Sequence, residues 1–271
     1  MTLHTVIGAT GFIGGLLAAR LRAEGHEVYS PARGDPDLLN RDLGHVFYCA
    51  GLTGDFMIKP FETVRAHVGL LAEVLENARF ERLIYLSSTR LYDSLGARGG
   101  HEDGVLEFAP TAARNVYDLS KALGENLCLA RSGGRAAVAR IANVFDPEGE
   151  GGGFLSDLLY RARQQRAITL SSSPGAGRDY ISIEDVISAL LAMDQQAVHG
   201  IVNIATGQTL TNGRLAEIMA TCGWTLTLTG QDAQAPTPTC DTGRLRALGI
   251  VPASAAELVR TTLLSLSGQA R

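Results

Sequence analysis

The sequence of 271 residues has no block of basic residues and no apolar run long enough to span a membrane. Its 24 basic residues are outnumbered by 28 acidic ones, and the formal net charge is −4. The chain therefore lacks the positive patch with which proteins attract nucleic acid or anionic membranes. Its first apolar stretch has the pattern of a strand and a glycine turn rather than of a targeting segment. We expect a cytoplasmic protein with neither a nucleic-acid nor a membrane partner.

Cysteine is also scarce, and the four cysteines, Cys49, Cys128, Cys222 and Cys240, show no paired metal-ligand spacing. The six histidines lack ligand spacing as well. We predict four free thiols and no metal site. Cys49 lies in an apolar run that begins at His45, so we expect it to be buried in the core.

Three glycines, Gly8, Gly11 and Gly14, follow an apolar segment and precede a helical pattern at 16–21. Glycine permits a tight turn and a close approach of the backbone to a pyrophosphate, and the free N–H groups of a helix N-terminus bind anions. The order strand, glycine turn, helix therefore predicts a dinucleotide site, although three glycines can also form a simple tight turn.

Tyr117 and Lys121 lie four residues apart, which places a phenol and an ammonium on one face of a helix. A nearby cation favours the phenolate and brings the pKa of a tyrosine towards the range useful for proton transfer. A second polar group, Ser88, stands among three hydroxyl residues that end an apolar strand, and the ends of parallel strands collect site residues. If no other site residues accompanied them, the pair of Tyr117 and Lys121 would be an ordinary surface feature, and the hydroxyl residues around Ser88 would form a helix cap.

With their flanking residues, these segments resemble the extended short-chain dehydrogenase/reductase family, in its NAD-dependent epimerase/dehydratase branch. The resemblance covers nearly the whole chain, in the segments 85–92, 102–110, 140–145, 178–186, 203–207 and 241–249. It implies an α/β fold with a Rossmann-type doubly wound parallel sheet. Residues 1–145 would form the dinucleotide-binding domain and 146–271 a small, interleaved C-terminal α/β substrate-binding region. Alternating apolar runs and helical patterns before residue 145 favour parallel βαβ units independently.

The resemblance also implies roles for particular residues. The catalytic residues would be Tyr117, Lys121 and Ser88. The cofactor-binding residues would be Gly8, Thr10, Gly11, Phe12, Ile13, Gly14, Arg33, Ala50, Gly51, Tyr117 and Lys121. The substrate-binding residues would be Ser88, Thr89, Asn143 and Arg178.

The choice between NAD and NADP depends on the residues at the end of the second strand. An acidic side chain there accepts hydrogen bonds from the ribose of NAD, whereas a basic side chain attracts the 2′-phosphate of NADP. Ala32 and Arg33 stand there and favour NADP, whereas Asp35 could serve NAD. Only about a dozen residues separate this strand from the next one, so a strand and a helix common in the family are expected to be missing.

The expected activity is that of an epimerase or reductase that transfers a hydride on a nucleotide sugar or a related carbonyl or alcohol compound. Thr89 and Arg90 do not supply the acid/base pair that a dehydratase needs, and His67 replaces the family's usual asparagine in the long helix. Alternatives are a reductase of a small non-nucleotide ketone or aldehyde and a non-catalytic NAD(P)-binding sensor.

The long helix also carries an apolar stripe, formed by Phe61, Val64, Val68, Leu71 and Leu75. The stripe would pack on the sheet or on a partner subunit. With the Tyr117 helix, it predicts a homodimer of the family's type. The glycine-rich segment 147–153 would be a lid or a linker.

Overall fold

A computed structural model describes residues 2–149, 151–231 and 238–268. The strands are β1 (Leu3–Ile7), β2 (Glu27–Tyr29), β3 (His45–Tyr48), β4 (Arg82–Ser88), β5 (Ala136–Ile141), β6 (Asn143–Phe145), β7 (Ala167–Leu170), β8 (Gly177–Ser182), β9 (Gly200–Ile204), β10 (Thr209–Thr211) and β11 (Thr225–Leu228). The helices are α1 (Phe12–Ala23), α2 (Pro60–Val64), α3 (Leu70–Asn77), α4 (Asn115–Arg131), α5 (Phe154–Gln164), α6 (Ile183–Gln195), α7 (Asn212–Thr221), α8 (Gly243–Ala247) and α9 (Ala255–Gly268). Within these ranges, no helix is both long and apolar enough to cross a bilayer.

The centre of the protein is a six-stranded parallel sheet in the order β2-β1-β3-β4-β5-β9. Strands β3, β4 and β5 are almost entirely buried, as strands covered by helices on both faces must be. The chain reverses its direction of winding between β1 and β3, which creates a crevice at the carboxyl ends of these strands. The predicted Rossmann-type doubly wound sheet is confirmed.

The connection between β2 and β3 is shortened, as the sequence predicts. Residues 30–44 form turns and one isolated bridge between Asp42 and Arg79, without a helix or a further strand. As a result, β3 pairs directly with β1, and β2 forms the edge of the sheet.

The residues of the apolar stripe on the long helix differ in their burial. Leu71 is fully buried, whereas 73% of Phe61 is exposed and Val64 is also exposed. A π-helical turn at Arg65–Gly69 joins α2 to α3, and the wider turn changes the face that the following residues present. The phenols of Tyr48 and Tyr85 donate to main-chain oxygens within this turn, at 2.6 and 3.2 Å, which fixes the helix against the sheet.

The C-terminal part has a smaller core between the sheets β10-β8-β6 and β11-β7 and the helices α5, α7 and α9. Trp224 lies in this core and donates its indole N–H to the main-chain oxygen of Ala162 at 2.9 Å. Strand β9 and helix α6 also follow residue 146 in the chain, but they complete the central sheet and its core. The two parts are therefore joined by shared structure.

Candidate active site

A cleft of about 790 Å³ opens at the carboxyl ends of the central strands and continues to the C-terminal part. Its walls contain most of the residues that the sequence predicts for the site, namely Gly11, Phe12, Ile13, Gly14, Gly51, Ser88, Thr89, Tyr117, Lys121, Asn143 and Arg178. Gly8, Thr10, Arg33 and Ala50 are outside that lining. A volume of this size is typical of a site for a cofactor or another small molecule.

The glycine turn forms one end of the cleft. Gly8 has φ of +92°, and a Cβ atom there would lie 2.7 Å from the main-chain nitrogen of Ala50. A Cβ at Gly14 would overlap the main-chain oxygen of Gly8. Gly11 caps α1 without a side-chain hydrogen bond, and a Cβ there would meet only that same oxygen, at 3.4 Å. Gly8 and Gly14 are thus required for packing, whereas Gly11 faces open space at an uncapped helix N-terminus, which suits a pyrophosphate.

Helix α4 and strand β4 bring Tyr117, Lys121 and Ser88 to the same wall. Ser88 hydrogen-bonds Tyr117, and its hydroxyl oxygen also accepts from the main-chain N–H of Arg90 at 3.2 Å. The Lys121 ammonium is buried and donates to the main-chain oxygen of Leu86 at 2.7 Å. Burial lowers the pKa of Lys121 to about 8.

The electrostatics of Tyr117 differ from the expectation drawn from its spacing to Lys121. Burial raises the pKa of Tyr117 above its ordinary value, and the hydrogen bond from Ser88 and the charge of Arg90 act in the opposite direction. The guanidinium carbon of Arg90 lies 4.8 Å from the centre of the Tyr117 ring. Arg90 is thus the cation that faces the phenol, while Lys121 is directed to the backbone of β4. From the sequence alone, Arg90 is notable only because, with Thr89, it does not supply the acid/base pair of a dehydratase.

His67 lies in the π-helical turn of the long helix and is fully buried. The Ser120 hydroxyl donates to the main-chain oxygen of Tyr117, so it accepts from Nδ1 of His67 at 2.8 Å. Burial, aided by the charge of Lys121, lowers the pKa of His67 to about 2, which keeps the ring neutral. Its Nε2 has no hydrogen-bond partner within the described ranges and faces Gly51 in the cleft wall.

Asn143 and Arg178 form the far end of the cleft on the paired strands β6 and β8. Asn143 donates to the main-chain oxygen of Asp179 at 3.1 Å, and Nη1 of Arg178 donates to that of Gly177 at 3.0 Å. Two aromatic residues that sequence analysis did not predict, Phe154 and Tyr180, stack here with their ring centres 6.3 Å apart. The amide and the guanidinium are therefore held in place beside an apolar surface.

The glycine-rich segment lies along the mouth of the cleft. Gly152 and Gly153 contribute to its walls, and a Cβ at Gly151 would overlap the ring of Phe12 in the glycine turn. Glu150 lies outside the described residues. The segment thus connects the nucleotide end of the cleft to α5.

The shortened adenine side is open to solvent. Arg33 is exposed, whereas the carboxylate of Asp35 accepts from the main-chain N–H of Asp37 at 3.0 Å. Arg41 stacks on the neighbouring Tyr29, with its guanidinium carbon 4.0 Å from the centre of the ring. Asp35 is therefore already engaged within the protein.

All four cysteines are free, as predicted, but Cys49 is half-buried and lines the cleft rather than lying within the core. The tertiary structure also assembles a cluster that the sequence did not predict, at the amino ends of strands β1 and β3. The Asp194 carboxylate hydrogen-bonds His4 at 3.2 Å and His45 at 2.9 Å. These three residues are spaced as metal ligands could be, and their mutual hydrogen bonds account for the arrangement.

Known proteins resemble the chain in both sequence and fold. It is 29% identical to dTDP-6-deoxy-L-talose 4-dehydrogenase (NAD(P)(+)) of Kitasatospora kifunensis, over 79% of this chain and 77% of that protein. It is 21% identical to UDP-glucuronic acid decarboxylase 1 of Danio rerio, over 79% of this chain but only 59% of the relative. The chain thus spans less than two thirds of the decarboxylase. The structure of MoeE5 in complex with UDP-glucose and NAD superposes with a TM-score of 0.79, at 22% identity and 99% coverage of both chains.

A family model gives the broader assignment. The model of the NAD dependent epimerase/dehydratase family matches residues 4–205. That range includes the glycine turn, β4 with Ser88, and the helix that carries Tyr117 and Lys121. The chain therefore belongs to the NAD dependent epimerase/dehydratase family.

Proposed function

We propose that the protein is an NAD(P)-dependent epimerase or reductase that acts on a nucleotide sugar or a related carbonyl or alcohol substrate. The observation that carries the proposal is the position of Tyr117, Ser88 and Lys121 on one wall of a cleft that begins at the glycine turn. A binding protein without catalysis would not need a buried phenol bonded to a serine hydroxyl.

The glycine turn fits a dinucleotide. The uncapped N-terminus of α1 and the open side of Gly11 would receive the pyrophosphate, and Lys121 would lie near the nicotinamide end. When bound, a nicotinamide dinucleotide supplies the hydride donor or acceptor. We favour NADP over NAD, because Arg33 is exposed on the adenine side while the carboxylate of Asp35 is hydrogen-bonded to the main chain of Asp37.

Tyr117 would move the substrate's proton. Its phenol oxygen would take the hydroxyl proton during oxidation of an alcohol, or return it during reduction, while Ser88 hydrogen-bonds the same substrate oxygen. Burial disfavours the phenolate, and the Ser88 hydroxyl and the Arg90 charge partly offset that effect. The ammonium of Lys121, close by on the same helix, would add a second positive charge.

The far end of the cleft would bind the diphosphate of the substrate. Arg178 offers a guanidinium, which pairs with phosphate through parallel hydrogen bonds, and Asn143 offers an amide beside it. Thr89 follows Ser88 in the chain and lines the same recess as Asn143 and Arg178. Relatives that are named for, or bound to, nucleotide sugars support the same substrate class.

The direct test is to incubate the protein with NAD+ or NADP+ and a panel of nucleoside diphosphate sugars, to follow absorbance at the reduced nicotinamide band, and to separate the products, epimers included, by chromatography before mass spectrometry. We expect Tyr117→Phe to lower turnover on the order of a hundredfold or more with cofactor binding retained. Tyr160→Phe, at an exposed tyrosine, is the matched control. Near-full activity of Tyr117→Phe would refute the mechanism.

We further propose a homodimer through α2 and α4. Four apolar side chains are exposed on these neighbouring helices, namely Phe61, Val64, Leu119 and Leu123. Exposed apolar patches of this kind mark protein–protein interfaces. Light scattering should give a dimer mass at micromolar concentration, and Leu123→Glu should give a monomer. Leu264→Glu, on the exposed side of α9, should remain dimeric. A monomeric wild type would exclude the dimer.

A further inference from the structure

Arg90 is held in a defined position beside the phenol of Tyr117 in the candidate active site. Its guanidinium carbon lies 4.8 Å from the centre of the Tyr117 ring and 4.9 Å from that of Phe56. Arginine stacks on aromatic faces through its planar, weakly hydrated cation, and stacking leaves the N–H groups at its edge available. The two rings therefore hold the guanidinium in place without consuming its hydrogen-bond donors.

The guanidinium of Arg90 forms no ion pair or hydrogen bond with the residues that the structure describes. The nearby acids Asp93 and Asp118 both pair with Arg114, at 3.2 and 3.4 Å, and Arg90 acts on the Asp118 carboxylate only through its charge and not by direct contact. A ligand that fills the cleft would cover this cation, and a covered charge without a counter-charge costs free energy. Arg90 is thus prepared for a negatively charged group that the ligand brings.

The charge of the cleft agrees with this requirement. Among the described residues, its lining contains Arg90, Lys121 and Arg178 and no acidic side chain. Lys121 is directed to Leu86, and Arg178 lies on β8, where we place the diphosphate. Arg90 is a further cation, located at the level of Tyr117, where the sugar would react.

A small recess of about 20 Å³ continues from this point. Its lining includes Thr89, Arg90, Asn143 and Arg178. The recess is large enough for about one water-sized group. Two acids also line the recess. Asp93 forms an ion pair with Arg114, and Asp179 accepts hydrogen bonds from Thr206 and Gly207. The recess is too small for a carboxylate, so a carboxylate would meet the free donors of Arg90 from the main cleft.

We propose that Arg90 binds a carboxylate on the sugar of the substrate, so that the substrate is a nucleoside diphosphate derivative of a sugar acid rather than of a neutral sugar. This inference rests on the proposed function. The carboxylate would pair with the edge of the guanidinium while the reacting hydroxyl meets Tyr117 and Ser88.

The test compares UDP-glucuronate with UDP-glucose, which differ in the carboxylate, by calorimetric titration of the protein with saturating cofactor. Charge-assisted bidentate pairing predicts about ten- to a hundredfold tighter binding of UDP-glucuronate by the wild type. In Arg90→Gln, the ratio of the two affinities should fall to near one. Arg178→Gln, the matched control, should weaken both ligands by similar factors and keep the ratio.

The outcomes separate the two proposals. Binding of neither ligand would contradict the nucleotide-sugar function itself. Equal binding of both ligands by the wild type would leave that function standing and overturn the role of Arg90. The role would also be overturned if Arg90→Gln changed turnover of both compounds equally and left the affinity ratio unchanged, because Arg90 would then act only on Tyr117.

Discussion

Arg140 and Glu125 form a bidentate ion pair in the interior, with Nη2–Oε2 and Nε–Oε1 distances of 2.6 and 2.9 Å. Arg140 belongs to β5, and Glu125 follows Lys121 by one turn on α4. A further nitrogen of Arg140 donates to the phenol of Tyr92 at 2.8 Å. The pair thus fixes the helix that carries Tyr117 and Lys121 to the central sheet.

Breaking this pair should destabilise the protein strongly. In Arg140→Met, the Glu125 carboxylate would remain buried without a counter-charge, which typically costs about 3–5 kcal/mol. Urea unfolding at pH 7 measures the loss. Arg163→Met removes the partner of the exposed Glu148 and should cost less than about 1 kcal/mol. Similar losses in the two variants would show that burial of the Arg140 pair is not what makes it important.

Gly11 and Gly14 should respond differently to substitution. A valine at Gly11 would extend into the cleft and block a pyrophosphate, with the fold retained. An alanine at Gly14 would overlap the oxygen of Gly8, so the backbone must shift at a cost of about 1–3 kcal/mol. Thermal melts with and without cofactor distinguish the two effects. At a hundredfold excess over Kd, cofactor stabilises the wild type by about 2.7 kcal/mol, and Gly11→Val should lose that gain. A retained gain would refute the glycine-turn site.

Arg33 should determine the choice of cofactor. Charge-assisted hydrogen bonds to a 2′-phosphate contribute about 1.5–3 kcal/mol, which is roughly a ten- to hundredfold preference for NADP. Calorimetric titration of both cofactors should show this preference in the wild type and its loss in Arg33→Gln. Arg131→Gln, at the exposed end of α4, is the control. Equal affinities in the wild type would assign the choice to Asp35 or to the shortened adenine side.

Asp194 should make stability depend on acid pH. Burial acts to raise its pKa, but hydrogen bonds from His4 and His45 and their charge outweigh burial, and the pKa lies below the ordinary 3.8. The unfolded chain therefore binds the proton more readily, so the stabilisation is complete above about pH 4 and is lost as pH falls further. Asp194→Asn should lower stability at pH 7 by about 1–3 kcal/mol, because hydrogen bonds to His4 and His45 are lost, and should reduce the loss in acid.

The control for Asp194 is Asp55→Asn, which removes an exposed acid paired with Lys59. Surface pairs of this kind contribute less than about 1 kcal/mol, so the control should be nearly neutral at pH 7. An acid transition of Asp194→Asn as steep as that of the wild type would place the pH dependence elsewhere.

The sequence by itself determined the local features of this protein and its family. Apolar runs between turn residues predicted the parallel strands, because a strand buried on both faces must be apolar throughout. Three glycines between a strand and a helix located the turn, because only glycine fits the positive φ at Gly8 and the close approach at Gly14. The spacing of Tyr117 and Lys121 located the helix face of the site, since neighbours on a helix are set by its pitch.

Only the tertiary structure decided how these groups interact. Arg90 and Tyr117 are 27 positions apart in the numbering, yet they stack, and Asp194 meets His4 across 190 positions. The burial that raises the pKa of Tyr117 and the hydrogen bond from Lys121 to Leu86 both depend on which strand and helix lie against α4. Spacing along a chain fixes neighbours within one element, whereas burial and contacts between elements arise only when the sheet assembles.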